Sequence, residues 1–96
     1  MEPRIIYDRV FDDKHIVSVQ PVGVCSSQID IVIVGDTIED VQYTGGCMGN
    51  SQGVAALLRG MKVVEAIARL DGIDCHYKGT SCPDQLAKAL KMIMLK

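Results

Sequence analysis

The spacing of apolar residues changes once along this chain, near residue 46, and that change limits the architectures open to it. Before it, apolar residues alternate: in "SSQIDIVIVGD" Ile29, Ile31 and Ile33 fall on one face of an extended segment. After it, Val54, Leu57, Leu58 and Met61 recur at i, i+3, i+4 and i+7, the spacing of one buried helical stripe. A parallel sheet would require strands and helices to alternate. Strands followed by helices predict instead an α+β layer, a small antiparallel sheet of about three to four strands with three helices packed on one face.

Local signals set the boundaries. "RIIYDRVF" reads as a first strand, Asp12-Asp13-Lys14 as a turn, and "HIVSVQPV" as a second strand that Pro21 closes. Gly35-Asp36 supplies a tight turn between "SSQIDIVIV" and "TIEDVQYTG", the strongest hairpin signal in the chain. A first helix is expected from Asn50 to Met61 with Gly60 ending it, and a second over "KVVEAIARL", with Val63, Val64, Ile67 and Leu70 apolar and Asp71-Gly72 stopping it. A third is expected from about Pro83 to Met94, with Leu86, Ala87, Leu90 and Ile93 inward and Lys88, Lys91 and Lys96 outward. Ser81, followed three residues on by Asp84, resembles a capping box, and Pro83 suits a first turn. Residues 1–13 read as an extra N-terminal strand appended to a domain of 14–96.

With 96 residues the chain has room for one small core. A net charge of −2, one Phe, three Tyr and no Trp argue against nucleic acid as a partner, because phosphate binding needs a basic surface and base stacking needs aromatic rings. The acidic start "MEPRIIYDRVFDD" does not read as a secretory signal, and no apolar run approaches the length of a membrane span. A cytoplasmic location is therefore expected. In a reducing compartment four cysteines suggest metal ligands or reactive thiols rather than two disulfides.

Cys25, Cys47, Cys75 and Cys82 are separated by 21, 27 and 6 residues, with no C-x2-C knuckle. A cysteine serving as a small core hydrophobe should occupy an apolar position of a strand or helix. These do not: Cys25 follows "PVG", Cys47 lies in "TGGCMGNSQG", Cys75 in "DGIDCHYKG", and Cys82 opens the last helix. A thiol at a helix start meets the positive end of the dipole and free backbone N–H groups, which favour the thiolate, the form that binds metal. The glycines around Cys47 lack the G-x-G-x-x-G and Walker lysine patterns, so no nucleotide loop is assigned. His76, beside Cys75, is a candidate substitute ligand or proton relay, with an ordinary surface imidazole as its alternative; His15 is expected to be solvated. Glu39, Asp40 and Glu65 fall on faces expected to be exposed, and no paired-carboxylate acid and base is found, so no catalytic residue is assigned.

The motif Thr80-Ser81-Cys82-Pro83-Asp84, together with "GVCSSQIDIVI", "GGCMGN" and "LLRGMKVVEAIARLDGIDC", resembles the TSCPD domain family across about residues 22–91. That family occurs as small stand-alone proteins and as a terminal domain of cobalamin-dependent ribonucleotide reductases. The resemblance implies a part in ribonucleotide reduction, hence in deoxyribonucleotide synthesis for DNA replication. It does not imply ribonucleoside-diphosphate reductase activity, since a radical generator and a thiyl-bearing barrel exceed what 96 residues can build. A fainter likeness is to U-type iron–sulfur scaffolds, whose three cysteines would match Cys25, Cys47 and Cys82, with Ser27 and Ser81 replacing the scaffold's acidic residue and histidine.

These readings converge on an accessory module in which the thiolates of Cys25, Cys47, Cys75 and Cys82 meet near the starts of the first and third helices. Zinc is the expected ion, an iron–sulfur cluster the alternative, and ribonucleotide reductase or its reductant the expected partner. A second reading is a redox-active thiol protein, with Cys82 attacking and Cys75 resolving. A third is a purely interacting module with inert cysteines. The hairpin of residues 28–43 is a candidate edge for a homodimer.

Overall fold

The computed structural model describes residues 2–24, 26–45, 48–73 and 79–94, with the side chains of residues 48–51 excluded. Four strands, β1 (Arg4–Phe11), β2 (Lys14–Gln20), β3 (Ser26–Val34) and β4 (Thr37–Gly45), precede three helices, α1 (Met48–Leu58), α2 (Val63–Leu70) and α3 (Cys82–Met94). The strands form one antiparallel sheet in the order β1-β2-β3-β4, a meander in which each strand pairs with its neighbour in sequence. The expected α+β layer is therefore present.

Short turns hold this order. Two-residue connections favour positive φ, because that twist matches the strands they join. Asp12, between β1 and β2, has φ +55°, and Gly35, between β3 and β4, has φ +62°. Open space surrounds the position a Cβ would take at Gly35. Gly35→Ala should therefore cost only the conformational strain, about 1 kcal/mol, measured as a lower urea midpoint.

The pleat sorts the sheet's two faces. Val17 pairs with Ile31 and Val19 with Ile29, and these four are fully buried on the helical side. Ser18, Asp30 and Gln28 face the other way, where Ser18 Oγ and Gln28 Nε2 both donate to Asp30 Oδ1 at 2.6 and 2.8 Å. An irregularity between Val32 and Ile33 adds one residue to β4, so both Ile38 and Val41 reach the buried face. Leu58, Val63, Ala66, Leu86, Leu90 and Ile93 close the core from the helices.

Two helical faces differ from expectation. Leu57 is 77% exposed, and α1 packs through Ala55 and Leu58, flanked by Val54. In α2 the buried stripe runs Val63, Ala66, Ile67 and Leu70, leaving Val64 exposed. In both helices a small alanine, Ala55 or Ala66, is buried where hydrophobicity alone pointed to a bulkier neighbour.

The connector between α1 and α2 is tied to the start of β4. Ile38 N donates to Met61 O, Gly60 N to Ile38 O and Val63 N to Asp36 O, all at 2.8–2.9 Å, so residues 60–63 extend along the start of β4. Gly60 takes φ +87° there. Within the hairpin expected as a dimer edge, β3 is an interior strand and residues 60–63 run along the first part of β4's outer edge.

Candidate functional site

The start of α3 is built from the residues that mark it in the sequence. Ser81 is the N-cap: its carbonyl accepts from Gln85 N at 2.8 Å and its hydroxyl from Asp84 N at 3.1 Å. Asp84 does more than complete a cap. Its side chain is buried, and it accepts from Thr80 Oγ1 (2.6 Å), Lys88 Nζ (2.6 Å) and Gly72 N (2.7 Å). Burial alone would push this carboxyl up; the bonds from Lys88, Thr80 and Gly72 outweigh it and hold it below the usual carboxylate range. It is an ionised buried group with each oxygen satisfied.

Gln85 extends the network. Its Nε2 donates to Thr80 Oγ1 at 2.9 Å and its Oε1 accepts from Val22 N at 2.9 Å. Thr80, Asp84 and Gln85 are all at most 1% exposed, and no described buried side chain lacks a hydrogen-bond partner. The first turn of α3 thus clasps two distant segments, the end of α2 through Gly72 and the β2–β3 connection through Val22.

Cys82, the first residue of α3, is half-buried, and its Sγ lies 3.2 Å from Ser26 Oγ. Irregular pairing between Ser26 and Gln28 accompanies this contact: Ser26 is buried beneath α3 while Ser27 is exposed. Tyr43, from β4, donates its hydroxyl to the Cys82 carbonyl at 3.2 Å. Burial and the nearby Cys82 push the Tyr43 hydroxyl up, so it remains a donor at neutral pH. A cleft of about 460 Å³ opens beside it, between β4 and α1, with Gly45, Gln52 and Arg59 on its walls.

Of the predicted ligands, Cys82 alone is described; Cys25, Cys47, Cys75 and the candidate His76 lie outside the described residues. Their anchored neighbours in the chain do converge. Ser26, next to Cys25, touches Cys82 Sγ. Gly45, two residues before Cys47, pairs with Ser26 in the β3–β4 ladder. Gly72, three residues before Cys75, is bonded to Asp84, two residues after Cys82. Among the described residues there is no group of three or more metal-ligating side chains.

Sequence reasoning found Ser81, Cys82 and Asp84 and named Thr80 only within the motif; it set Lys88 outward, where the structure turns it onto buried Asp84, and it missed Ser26, Tyr43 and Gln85. Gln85 carried a signal: it adjoins the inward Leu86 and lies four residues before Ala89, on a face otherwise apolar. The other candidate acids are surface ion pairs, Glu39 with Lys14, Asp40 with Arg59 and Glu65 with Arg69. His15, expected to be solvated, is half-buried with Nε2 2.5 Å from Asp8 Oδ1, because β1 pairs over it.

A four-stranded meander covered by three helices, with a thiol at the start of the last helix and a buried polar clasp around it, defines a cysteine-bearing α+β domain. The chain belongs to the TSCPD domain family, which it matches over residues 6–94. This family is known from ribonucleotide reductases, and the match takes in most of β1. No curated protein and no solved structure is significantly similar to the chain. No described helix is long and apolar enough to cross a membrane.

Proposed function

We propose that this TSCPD domain is a thiolate metal-binding accessory module of ribonucleotide reduction, with Cys25, Cys47, Cys75 and Cys82 as ligands and zinc as the ion. The observation that carries the reading is the convergence of described neighbours of the other three cysteines on the start of α3. A chain spans at most ~3.6 Å per residue, so one, two and three residues of reach from Ser26, Gly45 and Gly72 are short tethers. Sulfur donors from four such points suit a soft ion in tetrahedral coordination. The dipole at the start of α3 offsets part of the charge that four thiolates bring together.

In this reading the module has a structural or docking role toward the reductase or its reductant rather than chemistry of its own. Replacing Cys25, Cys47, Cys75 and Cys82 by serine one at a time should remove bound metal in each case, as read by elemental analysis. A Cys47→Ser protein that retained full metal content and full stability would overturn the assignment.

The bond between Gly72 N and Asp84 also supports a second reading, in which Cys75 and Cys82 form a redox pair. Its signature would be a reversible Cys75–Cys82 disulfide in a folded, metal-free protein. An iron–sulfur chromophore would instead favour the scaffold-like alternative.

A further inference from the structure

The far end of α3 carries a second feature, unrelated to the cysteines. Thirteen residues of helix, at 1.5 Å each, separate it from Cys82 by ~18 Å. Here the β1–β2 turn, the β3–β4 turn, the start of α2 and the end of α3 enclose a groove of about 410 Å³. Its floor is core, made by Ile33, Val63 and Ile93. Its walls expose large apolar side chains to solvent: Val10 is 68% exposed, Val64 56% and Met94 52%. Val64 and Met94 also line an adjoining depression with Ile67 and Lys91, so the apolar surface continues along the α2–α3 face.

These exposures are not forced by the fold. The two-residue turns and the α2 stripe would be served equally by polar residues at Val10 and Val64, since neither contributes to the core cluster. A contiguous patch of this kind, rimmed by charge, is the pattern of an interaction site. The rim decides the partner. Asp12, Asp13 and Asp36 line the groove, and among the described residues no lysine or arginine does; Lys91, in the adjoining depression, is paired with Asp71. Asp36 meets Lys62 only at 3.9 Å between exposed side chains, too loose to neutralise it. His15, also on the wall, already faces Asp8.

We infer that this groove docks a basic amphipathic peptide segment of a partner protein, with apolar side chains seated between Val10, Val64 and Met94 and Lys or Arg side chains meeting Asp12, Asp13 and Asp36. The complementarity excludes the alternatives. Nucleic acid and anionic lipid would be repelled by three carboxylates, and a second copy would bring the same acidic rim against itself. A cationic segment with apolar anchors satisfies both walls, the mode by which amphipathic helices enter grooves.

The test uses the full chain and a fluorescein-labelled synthetic peptide of leucine and lysine, with leucine at i, i+3, i+4 and i+7, beside an isomer of identical composition in scrambled order. Fluorescence anisotropy should show the patterned peptide binding at least about tenfold more tightly than its isomer. Val64→Asp, at an exposed position, should weaken it about tenfold or more without lowering the thermal midpoint, and Asp12→Asn/Asp13→Asn should weaken it and flatten its salt dependence. Equal binding of both isomers, no binding of either, or binding unaffected by Val64→Asp would overturn the proposal. So would concentration-dependent dimerisation abolished by Val64→Asp, or Val64-dependent binding to phosphatidylserine vesicles, which would assign the groove to a second copy or to a membrane. None of these outcomes depends on the cysteines.

Discussion

Asp84→Asn should destabilise the protein by about 3 kcal/mol, a large fraction of what a domain this size possesses. The carboxylate is 1% exposed and accepts three hydrogen bonds, from Thr80, Gly72 and Lys88. An amide of the same shape retains one acceptor, presents an N–H₂ toward a donor, and leaves the Lys88 ammonium without its close counter-charge. On the scale typical of small domains the thermal midpoint should fall by roughly 10–20 °C. Thr80→Val tests the same network from the other side, removing both the donor to Asp84 and the acceptor for Gln85, and should cost about 2 kcal/mol. The contrast is Lys91, whose bridge to Asp71 lies at the surface: Lys91→Gln should change stability by less than about 1 kcal/mol. If Asp84→Asn proved as mild as Lys91→Gln, the buried carboxylate would not be what holds Gly72 to α3.

Cys82→Ser is the second large effect, and it separates the metal reading from a merely structural cysteine. Where Cys82 is only a half-buried helix-start residue beside Ser26, a serine of nearly the same size fits, and stability should change by about 1 kcal/mol or less. Where it is a ligand, the hard hydroxyl does not replace a soft thiolate, bound metal falls from about one per chain toward zero, and the folding free energy supplied by coordination goes with it. Under the proposal the variant should therefore lose both metal and several kcal/mol of stability together, as followed by elemental analysis and thermal unfolding of the same sample. Excess chelator should bring the wild-type protein to the same midpoint.

Much of the fold was legible because each layer was written in one strong period. The alternation of Ile29, Ile31 and Ile33 gave β3 and its buried face, and the turn signals at Asp12-Asp13-Lys14, of which Lys14 proves to open β2, and at Gly35-Asp36 bounded its neighbours. The third helix followed from its cap and stripe. The second helix was placed within one residue and the first two residues late at its start and three at its end, and their faces were misjudged at Leu57 and Val64, where the buried positions fall to Ala55 and Ala66 instead. At Val64 that displaced side chain became a wall of the acidic groove.

The site was legible only through its conspicuous residues. Cys82 and Ser81 announce a capped thiol, whereas the support comes from Ser26, 56 positions away, and from Val22, 63 positions from Gln85. Contacts at that separation leave no local pattern. Asp84 illustrates the difference: its place three residues after Ser81 predicted a cap, and the carboxylate reaches Gly72 as well.

The most direct test of the central claim is metal per chain in wild-type protein purified from a reducing host, by elemental analysis alongside the absorption spectrum. The account predicts about one equivalent of zinc and no visible band. A folded, monodisperse protein containing neither zinc nor iron would contradict it and leave Cys82 as a redox thiol or a simple helix-start residue.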